Sequence, residues 1–414
     1  MTESNIQQRP ILRNLQFSPF KQEEEQYVVL WDPSGLSAER LIVPLNYFYL
    51  FQFFDGEHTL DQITAEYLKK FGEFLMPDRL EKLVAELDVR LFLSNARTEE
   101  AERAADAAYR ALPVRKPAYA GRMYAAEPDK LRAEIDGYYA SKEGPPIKAS
   151  SNKGKPIKGF VVPHYDVKQA GAVYTWAYKE VHEAEAPEIF ILLGTSQAGL
   201  RHGIAVTDKD FETPLGILPV DRALIAQFKD RGGEVFFQEE RVHQTEYSLE
   251  IQLPFLQHAM TGRKSVSIFP VLCAFPPACL AEPDLRDLGD MVQKFITILK
   301  DSLVAIGKPY CLLASAELAH IGMRYGDSKP PTDFSFHKCM QADMAMLKHV
   351  ENCEPDQFAQ FILKEGDVRR ISGFAPIYTL LKLIKAEKGE VLRYDRGITD
   401  QFNSTVTFAS MAFF

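Results

Sequence analysis

Two hydrophobic rhythms divide this chain. In the first, Tyr27, Val29 and Trp31 alternate with Val28 and Leu30, and Asp32-Pro33-Ser34-Gly35 then supplies a turn. Leu41-Ile42-Val43-Pro44-Leu45 can pair back on that strand. An aromatic, helix-like run from Tyr47 to Phe54 stops at Asp55-Gly56. Thr59 and Gln62 form a capping box ahead of Leu60, Ile63, Tyr67 and Phe71 at helical spacing, and Gly72 ends that helix. Leu80, Leu83, Val84 and Leu87 mark one face of another helix, and Leu91-Phe92-Leu93 closes the unit. The predicted order over residues 1–95 is a hairpin and then three helices, a small α+β domain. An Ala-, Glu- and Arg-rich stretch from Ala96 to Leu112, stopped by Pro113, predicts an exposed helical linker over residues 96–114.

From Arg115 to the C-terminus (residues 115–414) short apolar runs alternate with helical stretches. Lys158–Pro163, Glu188–Leu193, Val266–Leu272 and Tyr310–Ser315 are strand candidates that are apolar on both faces. Such strands, separated by helices, predict a layered α/β domain around a mostly parallel central sheet. Ligands in such sheets gather beyond the carboxyl ends of the strands.

Bulk properties narrow the class. A chain of 414 residues is long for one core and implies two or three domains. A net charge of -9 argues against a general nucleic-acid or anionic-membrane binder. Lys148, Lys153, Lys155 and Lys158 sit among Pro, Ser and Gly and read as a solvated loop. No apolar run reaches the length of a membrane span, and the opening MTESNIQQRP lacks the hydrophobic centre of a signal peptide. The five cysteines, Cys273, Cys279, Cys311, Cys339 and Cys353, lack CxxC spacing and suit buried, reduced thiols in a cytoplasmic protein. Oligomeric state is not legible.

Polar residues cluster after the predicted strands. Pro163-His164-Tyr165-Asp166 follows the first, Gly194-Thr195-Ser196-Gln197 the second, and Glu317-Leu318-Ala319-His320 the strand ending at Ser315. Glu246 and Glu250 lie one helical turn apart, with Tyr247 between them. If the strands are neighbours, His164, Gln197, Glu317 and His320 converge on one cleft, where the two histidines and Glu317 are the candidates for acid/base chemistry. Each has a plain structural reading too: a histidine after a strand is often a packed core residue, Glu317 and His320 can form a local pair, and Glu246 and Glu250 can be solvated helix charges. The segment Asp210–Gly216 reads as a structured turn.

The first unit, through Asp55-Gly56-x-His58-Thr59-Leu60-x-x-Ile63, resembles PqqD-like winged-helix modules that recognise peptides beside radical-SAM enzymes. The resemblance implies a peptide, or a radical-SAM partner, captured along an exposed strand edge.

The larger part resembles the Memo-like family, including the B components of AmmeMemoRadiSam systems. The segments that carry this are Pro117–Tyr124, Pro163-His164, Leu193–Ser196, Glu212–Gly216, Ser248–Leu256, Ser315–Gly322 and Ser372-Gly373-x-x-Pro376-Ile377. The resemblance implies a fold similar to class III extradiol dioxygenases, which hold non-heme iron. Metal-binding members draw ligands from a His at the Pro-His dipeptide, a His after the GxS segment and a Cys ahead of a Gly near the C-terminus. Of these positions His164 keeps its imidazole, whereas Gln197 and Ser372 stand where the second His and the Cys are expected. His320 matches a further pocket histidine, Tyr247 replaces another, and Glu317 replaces an Asp.

A neutral amide and a hydroxyl are weak substitutes for imidazole and thiolate. No cofactor is therefore expected. The leading expectation is a binding or adaptor protein with a degenerate metal pocket. The alternative is a redox enzyme using non-heme iron or another transition metal through His164 and His320, with Glu317 or Asp166 assisting. Metal-free hydrolysis through Ser196 or Ser372 ranks last, since neither lies in a G-x-S-x-G elbow.

Overall fold

The chain separates into two compact units, residues 1–111 and 112–414. The computed structural model describes residues 9–23 and 25–414. All but the last two residues of the opening MTESNIQQRP lie outside the described residues.

The first unit is built on three antiparallel strands, β1 (Gln16–Gln22), β2 (Glu25–Trp31) and β3 (Arg40–Pro44), with β2 in the centre. The hairpin expected from the Tyr27–Leu45 pattern is β2–β3, with Val28 opposite Val43 and Leu30 opposite Leu41. Those four side chains are buried, as the period-2 alternation of a half-buried sheet requires. The sequence reading missed β1, because Pro19 and the polar Lys21 and Gln22 break the alternation there. The aromatic run is one turn of α-helix, Leu45–Phe48, continuing as a 3-10 helix, Tyr49–Phe53. Helix Leu60–Phe71 begins with the Thr59/Gln62 capping box and ends at Gly72, whose φ of 70° is the left-handed value that favours glycine at a C-cap. Helix Pro77–Val89 buries Leu80, Leu83, Val84 and Leu87. Helix Ala96–Arg110, capped by the Asn95 side chain, belongs to this first unit.

The second unit carries an eight-stranded mixed sheet formed by β4 (Gly159–Val162), β5 (Ile189–Thr195), β6 (Ile204–Val206), β7 (Ser267–Cys273), β8 (Tyr310–Ser315), β9 (His320–Ile321), β10 (Gly389–Ile398) and β11 (Thr405–Phe413). The spatial order is β9-β11-β4-β8-β5-β7-β6, with β10 also paired to β11. The four strands legible as apolar runs, β4, β8, β5 and β7, form the parallel centre. They are almost entirely buried, as parallel strands covered by helices on both faces are. The expectation of a mostly parallel sheet needs correction, since β6, β9, β10 and β11 all join antiparallel. The C-terminal hairpin β10–β11 was not anticipated. In Thr405–Phe413 polar Thr and Ser alternate with apolar residues, yet every position is buried. The segment after Asp210 is a hairpin, Asp210–Thr213 with Gly216–Leu218, and not only a turn.

Among the described residues no helix is long and apolar enough to cross a membrane.

Candidate functional site

The carboxyl ends of β4, β8 and β5 lie side by side, with Ser315 in register with Val162 and Ala314 with Leu193. The residues that follow those strands are therefore delivered to one edge of the sheet. A hydrogen-bonded platform fixes them. Gln252 donates through Nε2 to the Pro163 carbonyl and to Ser315 Oγ, both at 2.8 Å, and Tyr178 donates its hydroxyl to Gln252 Oε1 at 3.0 Å. Ser315 donates to the Ser248 carbonyl at 2.6 Å, and Ser248 donates to the Thr195 carbonyl at 2.8 Å. Gly194 permits this contact: a Cβ there would lie 2.7 Å from Ser248 Oγ and from the Leu249 side chain.

On this platform His164, fully buried, points Nε2 at Glu317 Oε2, 3.7 Å away. His320 Nε2 approaches the same oxygen at 3.2 Å, while its Nδ1 faces the Leu318 carbonyl at 3.2 Å. Both nitrogens of His320 thus face oxygen acceptors. Burial alone would raise the Glu317 carboxyl, but the charge of His164 and the contact with His320 outweigh it and hold the group below its ordinary range. Glu246 moves the other way. It caps the helical turn Tyr247–Glu250 and accepts the backbone N–H groups of Gln197, Tyr247 and Ser248, yet its burial dominates and pushes it up. Two carboxylates flank one cleft with opposite tendencies, Glu317 toward the charged form and Glu246 toward the neutral one.

Tyrosines pack around this cluster. Tyr247 meets the His164 ring edge-on at 5.7 Å between centroids, Tyr119 packs on Tyr247 at 5.8 Å, and Tyr325 meets His320 at 4.9 Å. Burial of Tyr247, followed by the charges of Glu317 and Glu246, lifts its phenol well above the ordinary value. Ser372 reaches the same edge because Gly373 donates its N–H to the Glu317 carbonyl at 2.9 Å. Both ring nitrogens of His164, Ser196 Oγ and Ser372 Oγ are buried and, among the described residues, lack a hydrogen-bond partner.

His164, Ser196, Glu246, Tyr247, Glu317, His320 and Ser372 are brought to this edge. Three expected side chains are not. Asp166 is exposed and serves as the N-cap of helix Val167–Glu183, accepting the Lys168 N–H at 2.8 Å. Glu250 points away into the core, where it pairs with Arg115 and accepts from Tyr124 Oη at 2.6 Å and from the N–H groups of Ala118 and Tyr119. A helical turn separates Glu246 from Glu250, but only the cap faces the cleft. The Gln197 residue is exposed, and its backbone N–H is what engages Glu246. Tyr119 and Tyr325 were not anticipated. Tyr119 lies inside the Pro117–Tyr124 segment, whereas nothing local to Tyr325 marks it. Ser248 and Gln252 stand in the Ser248–Leu256 segment, where spacing four apart puts both on the face toward the strand ends.

A family model described as Memo-like protein matches residues 115–412. The chain belongs to the Memo-like family. Relatives include a MEMO1 family protein of Aquifex aeolicus, 25% identical over 414 residues, which cover 98% of this chain and 100% of the relative. A MEMO1 family protein of Methanopyrus kandleri is 24% identical over 304 residues, 72% of this chain and 98% of the relative. Another, from Methanobrevibacter smithii, is 26% identical over 313 residues, 72% of this chain and 99% of the relative. The Aquifex match runs through the first unit as well as the Memo-like one.

The transition ion implied by the dioxygenase resemblance was tested against the donors present. His164 is the one strong donor at the three implied ligand positions. The amide of Gln197 and the hydroxyl of Ser372 are weak neutral donors for iron, copper or zinc. His164 and His320 both turn toward one carboxylate oxygen, and among the described residues no group of three or more His, Cys, Asp or Glu side chains has an arrangement able to hold a metal ion. This donor set does not fit a tightly held transition ion.

Proposed function

We propose that this Memo-like protein is a binding and recruiting component and not a metal-dependent oxygenase. Its cleft holds a small ligand without a transition ion, and its first unit docks a peptide or protein partner. The observation that carries this reading is the pairing of an intact His164–Glu317–His320 cluster with Gln197 and Ser372 at the positions where the family places imidazole and thiolate.

The first unit supports the recruiting role. A groove of about 1230 Å3 runs along it, lined by Leu15, Phe17, Leu45, Phe48, Phe51 and Phe71. Phe17 is 55% exposed and Leu45 42%, an unusual outlay of apolar surface. Among the described residues β1 and β3 each pair on one side only, which leaves backbone donors and acceptors for strand addition by an extended peptide. A PqqD-like, winged-helix character for this unit, and service to a radical-SAM enzyme in an AmmeMemoRadiSam-type system, follow from the same reading.

Elemental analysis of protein purified without chelator tests the cleft. Stoichiometric iron, copper or zinc would refute the metal-free reading. Crosslinking of full-length protein to extended peptides, with and without Phe17→Asp, tests the groove; peptide capture indifferent to that substitution argues against it.

A second reading keeps a redox enzyme in play, because two imidazoles and a carboxylate share one cleft. It requires that His164→Ala abolish metal content and oxygen-dependent turnover together, and it fails if both survive.

A further inference from the structure

We infer that the Memo-like cleft binds a small, uncharged, polyhydroxylated ligand. The imidazole of His164 and the hydroxyls of Ser196 and Ser372, all buried and all unpartnered, supply its hydrogen bonds. The inference rests on the metal-free reading of the cleft and assigns its ligand class.

Burying a polar atom without a partner costs about 1–3 kcal/mol, so such atoms are rare and call for an occupant. Here four of them belong to three residues at one sheet edge: Nδ1 and Nε2 of His164, Ser196 Oγ and Ser372 Oγ. His164 Nε2 is 3.7 Å from Glu317, too far for a hydrogen bond, so even its nearest polar neighbour leaves it open. The three residues follow different elements, β4, β5 and the stretch before helix Phe374–Leu383, and among the described residues no hydrogen bond joins their side chains.

The chemistry of the open atoms selects the ligand. A serine hydroxyl both donates and accepts, and an imidazole offers two ring nitrogens for hydrogen bonds in the ring plane. Their natural complement is a group that also does both, which a hydroxyl does and a carboxylate or an ammonium does not. An anion would have to sit beside the buried Glu317 carboxylate. A cation would find Glu246 already accepting three backbone N–H groups and Glu317 Oε2 already facing His320. Glu317 keeps its second oxygen for a ligand hydroxyl. Tyr247, Tyr119 and Tyr325 add aromatic surface suited to the C–H faces of a ring polyol.

The test uses full-length protein of known metal content with its histidines labelled with nitrogen-15. Glucose, myo-inositol and glycerol are the probes, and acetate and tetramethylammonium the charged counterparts. The expected result is a saturable shift of the His164 ring nitrogens with a cyclic polyol. Ser372→Ala and Ser196→Ala should each weaken that affinity by about tenfold, the loss of one good hydrogen bond. Circular dichroism confirms that the variants fold, and Glu317→Gln, which keeps the His164 signal, supplies a third probe if either serine variant does not. Indifference to every polyol overturns the inference, as does saturation by acetate or tetramethylammonium instead. Wild-type protein carrying stoichiometric metal sinks the metal-free reading itself, whereas metal-free protein that ignores polyols sinks only the ligand assignment.

Discussion

Glu250 and Glu317 are both buried glutamates in a Memo-like protein, yet they do opposite work. Glu250 has Arg115, Tyr124 and two backbone N–H groups around it, so its charge is fully matched. Removing that charge strands the buried Arg115 guanidinium, a change that costs roughly 3–5 kcal/mol. Glu317 has one short contact, to His320, and a cleft in front of it. Glu250→Gln should therefore destabilise the fold strongly in urea denaturation, while Glu317→Gln shifts stability by about 1 kcal/mol or less, as exchanges at binding sites commonly do. The reverse ranking would mean that the site has been placed around the wrong glutamate. From sequence Glu317 stood with the histidines as an acid/base candidate and Glu250 beside Glu246 as a pocket residue or helix charge. Both stand near a His or Tyr in a polar motif, and only the long-range partner Arg115, 135 positions away, marks Glu250 as structural. His164 and His320 were legible because polar clusters follow the central strands, and Ser372 was legible only through the family resemblance. Asp166 misled because a residue just after a strand is also where the next helix begins, and there its carboxylate became a cap.

At the scale of elements, legibility followed the strength of the local period. The four central strands and the Leu60–Phe71 and Pro77–Val89 helices were visible because burial on a fixed face writes itself into the sequence. β1 was not, since Pro19, Lys21 and Gln22 break its alternation, and β11 was not, since its place in the sheet depends on β4, far along the chain. Two glycines separate tight from open backbone. A Cβ at Gly373 would overlap the Glu317 carbonyl and come within 2.7 Å of Ala316 Cβ, so Gly373→Ala must displace the turn that carries Ser372. Gly137 lies exposed within helix Pro128–Ala140 with nothing near its added Cβ. Thermal denaturation should show Gly373→Ala losing about 1–3 kcal/mol and Gly137→Ala gaining about 0.5–1 kcal/mol. Equal effects would deny that the Gly373 turn is tight.

The first unit has its own acid sensitivity. Asp32, buried at the end of β2, pairs with Arg13 at 2.9 Å and accepts the Ser34 N–H at 2.8 Å. Burial alone would raise its carboxyl, but Ser34 and Arg13 outweigh it and hold it below the ordinary value. A folded-state value below the unfolded one means stability that is complete above the unfolded carboxylate range, near 3.9, and lost as pH falls through the lower folded value. Asp32→Asn should lower stability at neutral pH and flatten the acid limb of the unfolding curve. Fluorescence of Trp31, isolated by Trp176→Phe, reads this directly; an unchanged acid limb would show that Asp32 contributes nothing to it.

For the whole molecule, the decisive question is whether the cleft is a metal site from which two donors have been subtracted. The family matches over residues 115–412, and the relative from Aquifex aeolicus spans both units, so the Memo-like body and its N-terminal addition occur together elsewhere. The scaffold behind residue 372 is in place, whereas residue 197 is exposed and meets Glu246 through its backbone N–H, so a donor restored there also tests where side chain 197 can reach. β4, β5 and β8 are adjacent, the Gln252 and Ser248 platform locks their ends, and Gly373 holds residue 372 against the Glu317 backbone. Gln197→His and Ser372→Cys together would return imidazole and thiolate to the two altered positions, beside His164. Three strong donors can retain an ion that one strong and two weak donors release, so the double variant should copurify with iron, copper or zinc while the parent does not. Elemental analysis of the parent, both single variants and the double variant separates the outcomes. Metal in the double variant, with little in either single one, identifies the cleft as a dismantled site. A folded double variant that stays empty would show that residues 197 and 372 do not aim at the same point as His164, and the reading of this cleft as a former metal centre would then have to be given up.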